Sequence, residues 1–258
     1  MKFSKIITTC VLVLFSTVTA HADGALQEIL SNGVLKVGTT GDWNPMTVKD
    51  PATNSYVGYD IDVMTELAKD LDVKLELVPT DWKTLVSGLT SGKYHMTGSA
   101  SVTAKRAKVA GYSDSYFALA DVPLTLKKNA GLFKDWSDLN SSSVTVAATL
   151  GTAQEQRVKQ YFPDAKYKIV EAPARDFQEV LAGRADAHVT SNVEAATLVE
   201  KYSQLMVLPV SETKSPTPIA MLLPQGDQVW INYVNTWIAL KTERGFFAAL
   251  GRKWQLSN

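Results

Sequence analysis

Arg106 closes the segment Ser101-Val102-Thr103-Ala104-Lys105-Arg106, and its guanidinium is well suited to holding a carboxylate. A planar fork of N–H donors meets a planar carboxylate through two parallel hydrogen bonds. A second anion-seeking element is Gly151-Thr152-Ala153-Gln154-Glu155. There a glycine turn runs into a helix whose first N–H groups have no partner, and such ends collect anions. Glu155 has two roles open to it: it caps that helix as in a capping box, or it faces a cleft where burial raises its pKa and makes it a proton donor. Trp43 in TGDWNPM and Trp82 in PTDWKTL either cover a ligand or pack in the core. Asp60 and Asp62 in GYDID stand at a helix start and read as caps. His95 and His188 read as core histidines. With no cysteine beyond Cys10 and no His-x-x-x-His spacing, neither a metal nor a cofactor is expected.

Positioning these groups requires strands that end where the polar turns begin. Leu26–Leu30 forms a short amphipathic helix, with Asn32-Gly33 as its glycine stop, and Val34–Thr39 a buried strand. Ile61, Val63, Met64, Leu67, Ala68 and Leu71 recur with helical spacing, followed by a strand over Val73–Val78 and a helix begun by Trp82. The pattern restarts with strands over Val122–Lys127, Val144–Ala148, Ala165–Val170 and Ala185–Thr190, alternating with helices. Met206–Val210 and Ile219–Leu223 are the last strands, before two closing helices. Strand-helix alternation implies parallel pairing with right-handed crossovers. Two α/β lobes follow, with crossings near Phe117–Pro123 and Glu212–Ile219, the second stiffened by Pro216 and Pro218. Ligands of open α/β sheets sit outside the carboxyl ends of the strands. That rule gathers Gly41–Trp43, Gly98–Arg106, Gly151–Glu155 and Thr190–Glu194 around one space.

The first 22 residues read as a secretory leader: Lys2 and Lys5, an apolar run over Ile6–Phe15, and the small-x-small site Ala20-His21-Ala22. The apolar run is too short to span a bilayer. A soluble, exported, periplasmic protein is expected, without stable membrane insertion. The leader carries the single cysteine, so no disulfide can form and stability must come from core burial. Charges balance at 26 basic against 26 acidic residues with no like-charge run, which argues against nucleic-acid partners.

From Val34 to Tyr116 the chain reads VLKVGTTGDWNPM, VGYDIDVMTELAKDL, VKLELVPTDW and GSASVTAKRAKVAGYSDSYF. This arrangement resembles the first lobe of a periplasmic solute-binding protein of family 3, the polar-amino-acid type. TTGDWNPM, GYDIDVMTELA and PTDW are also similar to a narrower group, the periplasmic cyclohexadienyl dehydratases, which convert prephenate or arogenate on the same scaffold. The resemblance implies an α/β fold of the two-lobe, type II binding-protein kind. Residues 23–118 and 220–258 would form lobe I, with lobe II (119–219) inserted into it. The implied function is capture of a small carboxylate-bearing solute in the cleft, with an ABC-type inner-membrane permease as the possible partner.

The resemblance further implies that Arg106, on its Ser101–Thr103 turn, receives the ligand carboxylate and that Trp43 covers the ligand. Amides of Gly151, Thr152 and Ala153 would take the other side. Ser191 stands where the family carries an aspartate that neutralises a ligand ammonium. A hydroxyl cannot balance a desolvated ammonium, so ordinary α-amino acids are not the expected ligands. Glu194 is the nearest alternative carboxylate. In the dehydratase alternative, Glu155 would protonate the departing hydroxyl. Two lysines of that group are replaced, one within Ala120-Asp121-Val122-Pro123 and one by Ile219.

Overall fold

A computed structural model describes residues 24–256, so the leader expected over 1–22 lies outside the described residues. In chain order the first lobe contains α1 (Ala25–Asn32), β1 (Val34–Thr39), β2 (Asp42–Trp43), β3 (Thr47–Lys49), β4 (Tyr56–Val57), α2 (Tyr59–Asp70) and β5 (Lys74–Pro79). It continues through α3 (Leu85–Thr90), β6 (Met96–Thr97), β7 (Ser99–Ser101), α4 (Ala104–Ala107) and β8 (Gly111–Tyr112). β9 (Phe117–Leu126) crosses into the second lobe. There follow β10 (Thr145–Thr149), α5 (Ala153–Tyr161), β11 (Lys166–Val170), α6 (Asp176–Leu181), β12 (Ala187–Ser191), α7 (Asn192–Lys201) and β13 (Leu205–Val207). β14 (Lys214–Leu223) returns, and α8 (Gln228–Glu243) and α9 (Phe246–Lys253) close the chain. Among the described residues no helix is long and apolar enough to cross a membrane.

Local chemistry explains the elements that frame the cleft. α1 stops at Gly33, whose left-handed backbone (φ 66°) lets its N–H reach the Ile29 carbonyl. α2 buries Tyr59, Val63, Met64 and Leu67, spaced to share one face, and this face joins Leu35 and Val37 of β1 in the first core. β1 lies between β5 and β6 in parallel, and β10 between β11 and β12 in parallel, as the alternating pattern requires.

Parallel pairing does not extend to the crossings. β9 runs antiparallel to both β12 and β14, because the chain leaves along one strand and returns along its neighbour. Both crossing strands also begin earlier than their apolar runs: β9 at Phe117 and β14 at Lys214. Pro216 and Pro218, read from the sequence as a stiff connection, lie within β14, where the register shifts between Lys214 and Thr217. An irregular strand tolerates the missing N–H groups that a regular ladder would need.

Candidate functional site

The space between the lobes is lined by Trp43, Trp82, Ser101 and Arg106 on one side and by Thr152, Ala153, Gln154, Arg175, Thr190 and Glu194 on the other. It measures about 370 Å³, its open mouth included. Trp43 is 7% exposed and meets Trp82 edge to face, with ring centroids 5.8 Å apart. The Trp82 indole N–H donates to Asp42 Oδ1 at 3.0 Å, fixing that ring against the β2 strand.

Arg106 is placed by its own short helix. Thr103 is the N-cap of α4 and accepts the Arg106 backbone N–H at 3.2 Å. The guanidinium then donates to the Ser101 carbonyl and, across the cleft, to the Gly151 carbonyl, both at 3.2 Å. Its carbon lies 6.0 Å from the Trp82 ring centroid, within cation–π range. Arg106 is 6% exposed, and no carboxylate among the described residues comes within 4.0 Å of it. Burial pulls its pKa down. Such a buried cation calls for an anion.

Arg175 faces the same cleft from the other wall and differs in one respect: it has counter-ions. Its Nη2 donates to Glu194 Oε1 at 3.0 Å. Its Nη1 donates to the Asp42 carbonyl and lies 3.1 Å from the Asp42 carboxylate. Burial works against its charge, but Glu194 and Asp42 outweigh it and the pKa rises. Glu194 is itself buried; its second oxygen accepts from the Thr190 hydroxyl. Burial pushes its carboxyl up, Arg175 opposes this, and the net direction is upward.

The second-lobe turn is built by Thr152, which caps α5 by accepting the Glu155 N–H at 3.2 Å. Gly151 has φ 84°, and an added Cβ there would lie 2.4 Å from the Trp82 carbonyl oxygen in the first lobe. Glu155 turns away from the cleft lining. Its carboxylate accepts the Gly151 N–H at 2.9 Å and lies 3.3 Å from the Lys159 ammonium, which is capping geometry. Ser191 also lies outside the lining; it is the N-cap of α7 and accepts the Glu194 N–H at 3.3 Å. Asp121 is buried behind α5. There it takes Arg157 (3.0 Å), Gln154 (3.1 Å) and Tyr161 (2.9 Å), tying the cleft-facing helix to the crossing strand.

The expectations for Asp60, Asp62 and His188 change in detail, and that for His95 does not. Asp60 and Asp62 do not cap α2, whose N-cap is Gly58. Asp60 reaches across to Ser99, accepting its N–H at 3.0 Å and its hydroxyl, and burial raises its pKa to about 7. Asp62 accepts from Lys253 and Trp254, both at 2.7 Å, on the outer face. His95 is buried and bonded, accepting the Lys36 N–H at 3.0 Å. His188 is buried, but its ring nitrogens have no hydrogen-bond partner among the described residues; Asp176 stands 3.6 Å away. No group of three His, Cys, Asp or Glu among the described residues is placed to hold a metal ion.

Sequence reasoning passed over Arg175, whereas Asp42, Gln154 and Thr190 fall within the spans it gathers around the cleft but receive no role of their own there. One signal was available for Arg175. It is the N-cap of α6, where Ser, Thr, Asp or Asn is preferred and where the helix dipole disfavours a cation. A basic residue in that place points to a partner elsewhere.

Comparison with known proteins agrees with this architecture. The model of the bacterial extracellular solute-binding proteins, family 3, matches residues 35–257. A cyclohexadienyl dehydratase of Pseudomonas aeruginosa is 26% identical over 246 residues, covering 95% of this chain and 91% of that one. The L-cystine-binding protein TcyA of Bacillus subtilis is also 26% identical, covering 90% of this chain and 85% of its own. The crystal structure of the ancestral amino acid-binding protein AncCDT-1, described as a precursor of cyclohexadienyl dehydratase, superposes with a TM-score of 0.83. It is 36% identical and covers 90% of this chain and 99% of that one. A match across both lobes and the cleft between them settles the family: the chain belongs to the bacterial extracellular solute-binding proteins, family 3.

Proposed function

We propose that this protein closes its two lobes on a small carboxylate-bearing solute in the periplasm and delivers it to an ABC-type inner-membrane permease. The observation that carries this reading is the buried guanidinium of Arg106, which lacks a carboxylate partner among the described residues. Of the amides expected opposite it, those of Gly151 and Thr152 are taken by the Glu155 carboxylate and the Thr149 carbonyl, while the first-turn N–H groups of Ala153 and its neighbour Gln154 on α5 have no intrahelical acceptor and favour an anion. The two tryptophans supply apolar cover. The similarity to an L-cystine-binding and to an amino acid-binding protein supports a solute of amino-acid size.

The ligand class follows from the other wall. Ser191 is committed to α7, and Glu194 is committed to Arg175, so neither is free to pair with an α-ammonium. In a thermal-shift screen of amino acids against their 2-oxo and 2-hydroxy counterparts, the analogues without the amino group should raise the melting midpoint more. Larger shifts for the amino acids would overturn the ligand class. No shift with any carboxylate would overturn the binding reading itself.

A second reading, a dehydratase acting on prephenate or arogenate, is favoured by Glu194 and by the similarity to a cyclohexadienyl dehydratase. Loss of water and carbon dioxide aromatises such a ring, and one placed acid can protonate the departing hydroxyl. Glu194 is buried in the cleft lining with its pKa pushed upward by that burial against the pull of Arg175, whereas Glu155 is engaged as a cap. On this reading Glu194→Gln lowers turnover by about 10²–10⁴-fold, while Glu155→Gln changes it little. Absence of aromatic product from the wild-type protein on either substrate would leave the binding protein alone.

A further inference from the structure

We propose that Arg175 is a resident cation, occupying the place where the cleft would otherwise hold a ligand's ammonium or guanidinium, and so decides which solutes are accepted. This inference rests on the reading of the cleft as a carboxylate-binding site. Arg175 belongs to the second lobe, yet its guanidinium contacts one carboxylate on each wall: Asp42 at 3.1 Å in the first lobe and Glu194 at 3.0 Å in the second. Two carboxylates facing each other across a cleft form a receptor for a cation. Here the chain supplies the cation covalently. For Arg106 it supplies no counter-ion among the described residues, so the two guanidinia of one cleft are treated in opposite ways.

The cost of placing Arg175 argues that the charge itself is what the site holds. A cation at the N-terminus of α6 is opposed by the helix dipole. Its Nε–H is buried with no acceptor among the described residues, so the hydrogen bonding of the fork is incomplete. A buried charge that loses its partner is strongly unfavourable. Removing Arg175 therefore leaves Asp42 and Glu194 demanding another cation, in a cleft where Arg106 still receives a carboxylate. A zwitterion then satisfies both walls.

The test uses the leader-free protein with methylguanidinium, phenylpyruvate and L-phenylalanine as probes. Millimolar methylguanidinium should raise the melting midpoint of Arg175→Ala saturably, with no such rise in wild type or in Arg175→Ala combined with Glu194→Gln. In titration calorimetry the affinity ratio of L-phenylalanine to phenylpyruvate should increase at least tenfold in Arg175→Ala. If that variant fails to fold, Arg175→Gln removes the charge but retains a donor for the Asp42 carbonyl, and the same gain is expected. A folded variant with an unchanged ratio and no methylguanidinium response overturns the proposal. The methylguanidinium response needs no carboxylate ligand, so it stands or falls separately from the carboxylate-binding reading, which fails only if wild type binds no carboxylate.

Discussion

Replacing Arg106 with alanine should weaken binding of the carboxylate ligand by about 2–5 kcal/mol, as expected for one partner of a desolvated charge pair. That corresponds to a loss of roughly thirty- to several-thousand-fold in affinity. The same substitution should leave the melting midpoint without ligand nearly unchanged. Among the described residues Arg106 has no carboxylate to abandon, and its side chain donates to the Ser101 and Gly151 carbonyls. Removing a buried cation with no counter-ion relieves a desolvation penalty that offsets those two bonds. A structural arginine would show the reverse, with stability lost and binding kept. Arg106→Lys should fall between, since an ammonium keeps the charge but not the two-pronged geometry. Titration calorimetry beside thermal melts separates these outcomes, and undiminished affinity in Arg106→Ala would remove the proposed site.

The second large effect is expected at Gly151. Its backbone is left-handed at φ 84°, a conformation costing a non-glycine residue about 1–2 kcal/mol. Closure adds a stronger constraint. A Cβ on Gly151 would lie 2.4 Å from the Trp82 carbonyl oxygen and 2.6 Å from the Lys83 nitrogen, both backbone atoms of the opposite lobe. Neither can swing aside as a side-chain tip would. Gly151→Ala should therefore hold the lobes apart, break the bond from Arg106 to the Gly151 carbonyl, and weaken ligand binding at least tenfold, about 1.4 kcal/mol. Small-angle scattering should show a larger radius of gyration that ligand fails to reduce. Gly183→Ala is the control. Its backbone is also left-handed, at φ 69°, but no atom lies within 4 Å of the added Cβ. If both variants bind alike, local strain and not the meeting of the lobes is responsible.

Sequence and tertiary structure contribute unequally to the site. Arg106 and Trp43 reach the cleft because short-range features carry them there: a Thr cap four-residue turn in one case, a strand ending in a proline turn in the other. Thr152 is likewise set by the glycine turn and the helix it opens. Adjacent acids and hydroxyls were harder to sort. Glu155 and Glu194 each stand at the third position of a helix after a hydroxyl cap, yet one bonds back to its own turn while the other enters the cleft. Their local patterns are nearly the same, so packing of the two helices makes the difference.

The alternation of apolar strands and amphipathic helices, the Gly33 stop and the family signature determined by themselves that this is a two-lobe α/β protein. Those signals survive because they depend on neighbours three or four residues apart. Only the tertiary structure decided that β9 and β14 pair antiparallel, that Asp60 serves Ser99 instead of its own helix, and that Arg175 finds Asp42, 133 residues away. A charged side chain's partner is fixed by where burial leaves it a counter-ion, and that depends on how separate elements meet rather than on any spacing along the chain.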